Sequence, residues 1–300
     1  MTDSYLYNGQ SPDDHVASCP DCSAAIALLD RPPETAVEPP ASLREAVLSM
    51  ARRRRSPAVV PVATVAVPYA EQVALMDDLL ADLSAPDWET PIAKHGTIRG
   101  VVEHLAANDA TVAAFMGVAG AGVVTLPVPI HRRWREQAGS LLQRVSAGNE
   151  VLLGVEVALA GTSPTPVRAP LRQVMIQRTF ETWTHADDIR AATDRSRAEP
   201  RPEHVHMIAE FGLAMLPAAM KGPRRDVSAT IVLTGPGGGT WTIPLSPTSD
   251  HVGVLVSADA VEFCRLMANR LPPDCFPYAA EGDPALARDL IRAAATLGCD

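Results

Sequence analysis

The chain has 300 residues, is 47% hydrophobic but only 4% aromatic, and carries a formal charge of −9. That length favours two or more domains with ample core material, and the acidic balance argues against direct nucleic-acid binding, whose footprint would be basic. No apolar run reaches membrane-spanning length, Met1-Thr2-Asp3-Ser4 lacks the regions of a signal peptide, and the five cysteines form an odd set with one tight pair, unlike a disulfide framework. The expectation is a cytoplasmic protein with no membrane partner.

The first block spans residues 1–55. It opens with His15-x-x-x-Cys19-x-x-Cys22, a spacing that suits a metal: the two thiols grip from a turn and the histidine lies one helical turn earlier. A redox pair or chance spacing fits the two cysteines as well. Arg31 to Pro40 holds four prolines and reads as irregular, and Leu43 to Met50 reads as an amphipathic helix started by Ser42. Arg52 to Arg55 reads as a solvated helix end favoured by the macrodipole rather than a nucleic-acid contact. Residues 56–68, rich in valine, alanine and proline, form a linker.

The second block, 69–195, reads as helical throughout. Val73, Met76, Leu79, Leu80 and Leu83 keep the helical period. Thr97 caps a helix carrying Val101, His104, Leu105 and Val112. His131 to Val145 gives a third helix and Arg172 to Thr193 a long fourth, with the looser Leu152 to Pro170 between them. Four helices with one long connection predict a bundle, whose core is a recurrent place for metal ligands from facing helices.

The third block, 203–300, changes character. Val227 to Leu233 and Thr240 to Ile243 read as strands joined by the turn Gly235-Pro236-Gly237-Gly238-Gly239, which lacks the lysine and following helix of a phosphate loop. Val252 to Val256 is a further strand. Helices are predicted over Ala258–Arg270 and, after Asp283-Pro284 as cap and first turn, Ala285–Leu297. The fold class expected is α+β: a four-helix bundle, a small α+β C-terminal domain and a short helical N-terminal segment.

The most informative local pattern is Glu181 and His185, four apart and therefore on one helical face. Such a pair is often only a solvated contact. Here Val174, Glu181, His185, Asp188 and Ala192 form one stripe, apolar at its ends and polar in the middle, bordered by Phe180 and Ile189. Burying acids and a histidine without partners is costly, and a divalent ion would supply the partner. His104 from another helix would complete a two-histidine, one-carboxylate site with an open position, the arrangement of catalytic zinc or another borderline metal.

At these residues the second block resembles the metal-binding DinB-like bundle of mycothiol-dependent maleylpyruvate isomerases. The matching phrases are Trp88 with a following proline, Val101-Val102-Glu103-His104-Leu105-Ala106, and Glu181-Thr182-Trp183-Thr184-His185-Ala186-Asp187-Asp188-Ile189. The third block resembles that family's C-terminal domain through Ala258 to Arg270 and Glu281-Gly282-Asp283-Pro284. The resemblance implies zinc on His104, Glu181 and His185 beside a water, mycothiol as a thiol partner, and an arginine of the C-terminal domain near the site, for which Arg270 and Arg288 are candidates. Gly96 stands where the family commonly has a tryptophan. Asp188 would either orient His185 or pair locally.

The first block resembles the core of zinc-binding anti-sigma domains at His15, Cys19 and Cys22, and again at Pro39 to Leu48. No cysteine or histidine precedes His15, so either the start is truncated, the fourth ligand is a carboxylate such as Asp13 or water, or the finger is degenerate.

Three readings are open, the blandest being a metal-binding bundle retained as an interaction scaffold. The first is a soluble regulator that binds a sigma factor and senses a small thiol or metabolite at the bundle's metal. The alternative is an enzyme, a mycothiol-dependent isomerase or thiol transferase using zinc on His104, Glu181 and His185.

Overall fold

The computed structural model describes residues 12–29, 43, 47, 62–116, 129–148, 150–159, 168–220, 222, 224–249 and 251–298. The chain divides into two units, Met1–Ala58 and Val59–Asp300. In the first, helices α1 (Pro12–Ser18) and α2 (Pro20–Leu29) follow each other with only Cys19 between them. The helix expected over Leu43–Met50, the proline-rich stretch and the arginine run lie essentially outside the described residues.

The second unit begins with α3 (Val67–Ala81), a small hairpin of β1 (Pro91–Ile92) and β2 (Gly96–Thr97), and α4 (Ile98–Phe115). Thr97 caps α4 as expected, its hydroxyl accepting from the Gly100 amide. Then come α5 (Ile130–Ser146), the single turn α6 (Glu150–Leu153), a second hairpin of β3 (Glu156–Ala158) and β4 (Arg168–Pro170), and the long α7 (Leu171–Ala192). Helices α3 and α4 each pack on both α5 and α7, so the four close a ring. Its core is filled by Tyr69, Met76 and Leu80 from α3, Val101 and Leu105 from α4, Trp134 and Leu141 from α5, and Val174, Met175 and Ile189 from α7.

Helix α7 is buried on every side between Gln177 and Asp187, the mark of a central rather than a surface helix. Its other face, through Phe180 and Trp183, joins a second core. That core is built with α8 (Pro202–Ala219), β5 (Val227–Thr234), β6 (Gly239–Pro244), β7 (His251–Asp259), α9 (Ala260–Met267) and α10 (Pro284–Ala294), while β8 (Ala279–Gly282), its residues exposed, completes the sheet. The sheet order is β6-β5-β7-β8, with β5 and β7 parallel and the other pairs antiparallel. Val254, Val256 and Ala258 are buried at every second position of β7, so one face of that strand packs beneath the helices.

The fold is thus α+β. Gly235 and Gly237, at φ 81° and 79°, make the turn expected between β5 and β6. Helix α8 and strand β8 were not anticipated. Helix α9 starts at Ala260 because the Asp259 side chain caps it, accepting from the Glu262 amide. Among the described residues, no helix is long and apolar enough to cross a membrane.

Candidate metal centre

Three imidazoles converge at one place in the second unit. His104 stands on α4 and His185 on α7, two helices packed against each other. His95 comes from the turn of the β1–β2 hairpin, between Lys94 at φ 68° and Gly96 at φ 78°. His95 is thus flanked on both sides by residues of positive φ, as a tight turn requires. The ring centroids of His95 and His104 are 4.6 Å apart, those of His95 and His185 4.9 Å, and those of His104 and His185 5.2 Å. One donor atom from each lies within 4.8 Å of the other two.

The donor set fits a divalent ion. Four-coordinate zinc, at about 2.0–2.1 Å from each imidazole nitrogen, sets ring centroids about 5 Å apart, as these are. Three protein ligands leave a fourth position open, which is the pattern of a reactive rather than a structural site.

His185 is only 1% exposed. Its Nδ1 lies 3.0 Å from Asp188 Oδ2, one helical turn on. Asp188 is held in turn by Arg270, just beyond α9, through Nε to Oδ1 at 3.0 Å and Nη2 to Oδ2 at 2.6 Å. Burial alone would raise the Asp188 carboxyl, but His185 and Arg270 outweigh it and hold it below the ordinary aspartate range. Of the two arginines considered from sequence, Arg270 is therefore the one that reaches the site's edge, while Arg288 is exposed on α10.

Glu181 is buried beside the three histidines, with Oε2 3.9 Å from His104 Nε2. It is engaged elsewhere: the same oxygen pairs with the guanidinium of Arg178 and accepts from Asn108 Nδ2 at 3.0 Å. No Glu181 oxygen joins the converging donor group. His95, which does join it, is the member that sequence reading missed. It lies outside the helix that carries His104, so no helical spacing relates the two.

Beyond Asp188 lies a small cleft of about 40 Å³, partly open to solvent, lined by Trp183, Thr184, Asp187, Arg197, Arg265 and Arg270 among others. Trp183 Nε1, Thr184 Oγ1, Asp187 Oδ1 and Arg265 Nε are buried there without hydrogen-bond partners among the described residues. Burial raises the Asp187 carboxyl despite the Arg265 pair.

In the first unit, His15, Cys19 and Cys22 also converge within 4.8 Å, with Cys22 Sγ 3.5 Å from His15 Nε2. The Cys22 amide and thiol point at Cys19 and lower its pKa, while the same contact raises that of Cys22. The side chain of Asp13, the fourth-ligand candidate, lies outside the described residues.

No protein-family model matches the chain, and no curated protein matches it either. Among solved structures, it is similar to mycothiol-dependent maleylpyruvate isomerase and to a histidine-to-alanine mutant of it. Each likeness has 14% identity and a TM-score of 0.47, over 73% of this chain and 93% of that one. A likeness that distant carries no argument about chemistry, which has to rest on the geometry above.

Proposed function

We propose that this protein is a metal-dependent enzyme that activates a low-molecular-weight thiol, with mycothiol as the first candidate, for attack on a small electrophile. The observation that carries this reading is the convergence of His95, His104 and His185 around one open position. A divalent ion bound there, zinc being well suited to three imidazoles, would lower the pKa of a thiol or water in that position.

The protein's own groups do the positioning. Asp188 accepts from His185 Nδ1–H, which fixes the tautomer and turns Nε2 toward the site. Arg270 keeps that carboxylate ionised and aimed. The close packing of α4 on α7 sets the distance between His104 and His185, and the hairpin closes the third side. The reaction class is a thiol-dependent isomerisation or conjugation.

The geometry favours this reading over that of a regulator. Nothing among the described residues bears on a sigma factor, and the zinc-finger reading rests on a three-donor cluster alone. The test is elemental analysis of the purified protein together with mycothiol-dependent turnover of maleylpyruvate or a general electrophile. Turnover should vanish in His185→Ala while the circular dichroism spectrum survives. A wild-type protein that retains no metal after supplementation with zinc, iron or manganese would sink the proposal.

A further inference from the structure

The metal reading leaves open why a buried glutamate adjoins three histidines without joining them. The answer lies one helical turn earlier. Arg178 is 1% exposed, and its guanidinium pairs with Glu181. Its Nε lies 3.7 Å from Asp109 Oδ1, and Asp109 Oδ2 accepts from the Tyr69 hydroxyl at 2.7 Å. Burial raises the Asp109 carboxyl, with Arg178 and the Tyr69 hydroxyl pulling it back. Glu181 is therefore the nearest full counter-charge of a guanidinium that has no access to water. Moving the carboxylate onto a metal would leave that guanidinium with only the longer Asp109 contact in the bundle core, where a poorly paired ion is disfavoured. Asn108 adds a second restraint on the same oxygen, donating to Glu181 Oε2.

We infer that Arg178 is a specificity-determining residue: it withholds Glu181 from the ligand set, so that the ion is taken by His95, His104 and His185 alone. This rests on the metal reading above. Its chemical consequence is definite. Three neutral imidazoles leave the full dipositive charge at the site, whereas a carboxylate ligand would cancel half of it. The all-histidine set acidifies a bound thiol more strongly. Glu181 Oε1 is buried without a hydrogen-bond partner among the described residues. It is the atom that would turn to the metal if Arg178 were removed.

The test uses the full chain carrying Cys19→Ser and Cys22→Ser, so that no N-terminal thiolate contributes to the spectra. X-ray absorption of the zinc-loaded protein should count three imidazoles and no protein carboxylate. Glu181→Gln should keep zinc affinity within about threefold, while His95→Ala should lower it by about a hundredfold or more, as losing a ligand exceeds losing an outer partner. In the cobalt-loaded Arg178→Met protein, the visible bands should weaken as Glu181 enters and the coordination number rises. The same bands should return to wild-type intensity in Arg178→Met with Glu181→Gln. If the wild type instead shows two imidazoles plus a carboxylate, with His95→Ala silent, the inference fails and the metal enzyme stands. If the wild type holds no metal, both fail together.

Discussion

Arg270 clasps both oxygens of Asp188, at 3.0 and 2.6 Å, and so ties the sheet-bearing part of the chain to the histidine that Asp188 orients. Residues 82 positions apart thereby share one small network. An outer carboxylate that fixes an imidazole contributes about 10–100-fold to metal affinity. Asp188→Ala should weaken zinc binding by that factor in a chelator competition, and Arg270→Met should weaken it in the same direction but less. Unchanged affinity in both would reduce the clasp to an ordinary inter-element contact.

Gly100 offers a test of the hairpin. A Cβ built there would sit 1.9 Å from the His95 carbonyl oxygen, a backbone atom that cannot turn aside. In an isolated helix Gly→Ala would stabilise by about 1 kcal/mol. Here Gly100→Ala should instead push the His95 turn off α4. Zinc affinity should fall about tenfold or more, by analogy with losing a ligand's support, while helical content is kept. Isothermal titration beside circular dichroism checks both halves.

The pair of α3 and α5 is braced by Asp77, which meets His131 Nε2 at 2.6 Å and Arg135 Nε at 3.1 Å. Burial would raise the Asp77 carboxyl, but the two partners lower it below its ordinary value. A lowered folded-state pKa adds stability above the ordinary aspartate pKa of about 3.9, and that stability is lost as pH falls through the folded value. The partners are partly exposed, so screening limits the contribution to about 1 kcal/mol or less. The melting temperatures of wild type and Asp77→Asn should therefore differ at neutral pH and converge below about pH 4.

Cysteine reactivity should split by environment. Cys19 is the lowered thiol of its pair, whereas burial pushes the Cys264 thiol far up and out of reach of solvent. Mass spectrometry after brief alkylation of the metal-free native protein at neutral pH should find label on Cys19 ahead of Cys22. Cys264 should stay unmodified until denaturant is added. Zinc held on His15, Cys19 and Cys22 would protect both N-terminal thiols, and equal labelling with and without zinc would remove that cluster as a metal site.

How far the sequence could lead is visible in α7. The stripe through Val174, Glu181 and His185 announces a helix with a buried polar middle, and all three side chains are buried. The same spacing could not say what each polar group meets. Glu181 and His185 look equivalent on a helical wheel, yet one faces Arg178 and the other faces two histidines. Helix α8 escaped notice because Pro217 and the apolar run through it blur its polar face. Strand β8 is four residues long and fully exposed in its side chains, so no alternation marks it.

By itself the sequence determined the elements whose physics is local. Helical period, the caps at Thr97 and Asp283, and the glycine turn before β6 all depend on neighbours a few residues away. It also placed His104 and His185 as candidate partners. Only the tertiary structure decided which donors converge. His95 enters through a hairpin and Arg270 through a separate layer. Arg178 pairs with Glu181 because the bundle core brings the two together, with Asp109 on the guanidinium's other side at 3.7 Å. Each of these is a choice among buried charges, and buried charges are settled by three-dimensional distance, which chain spacing does not encode.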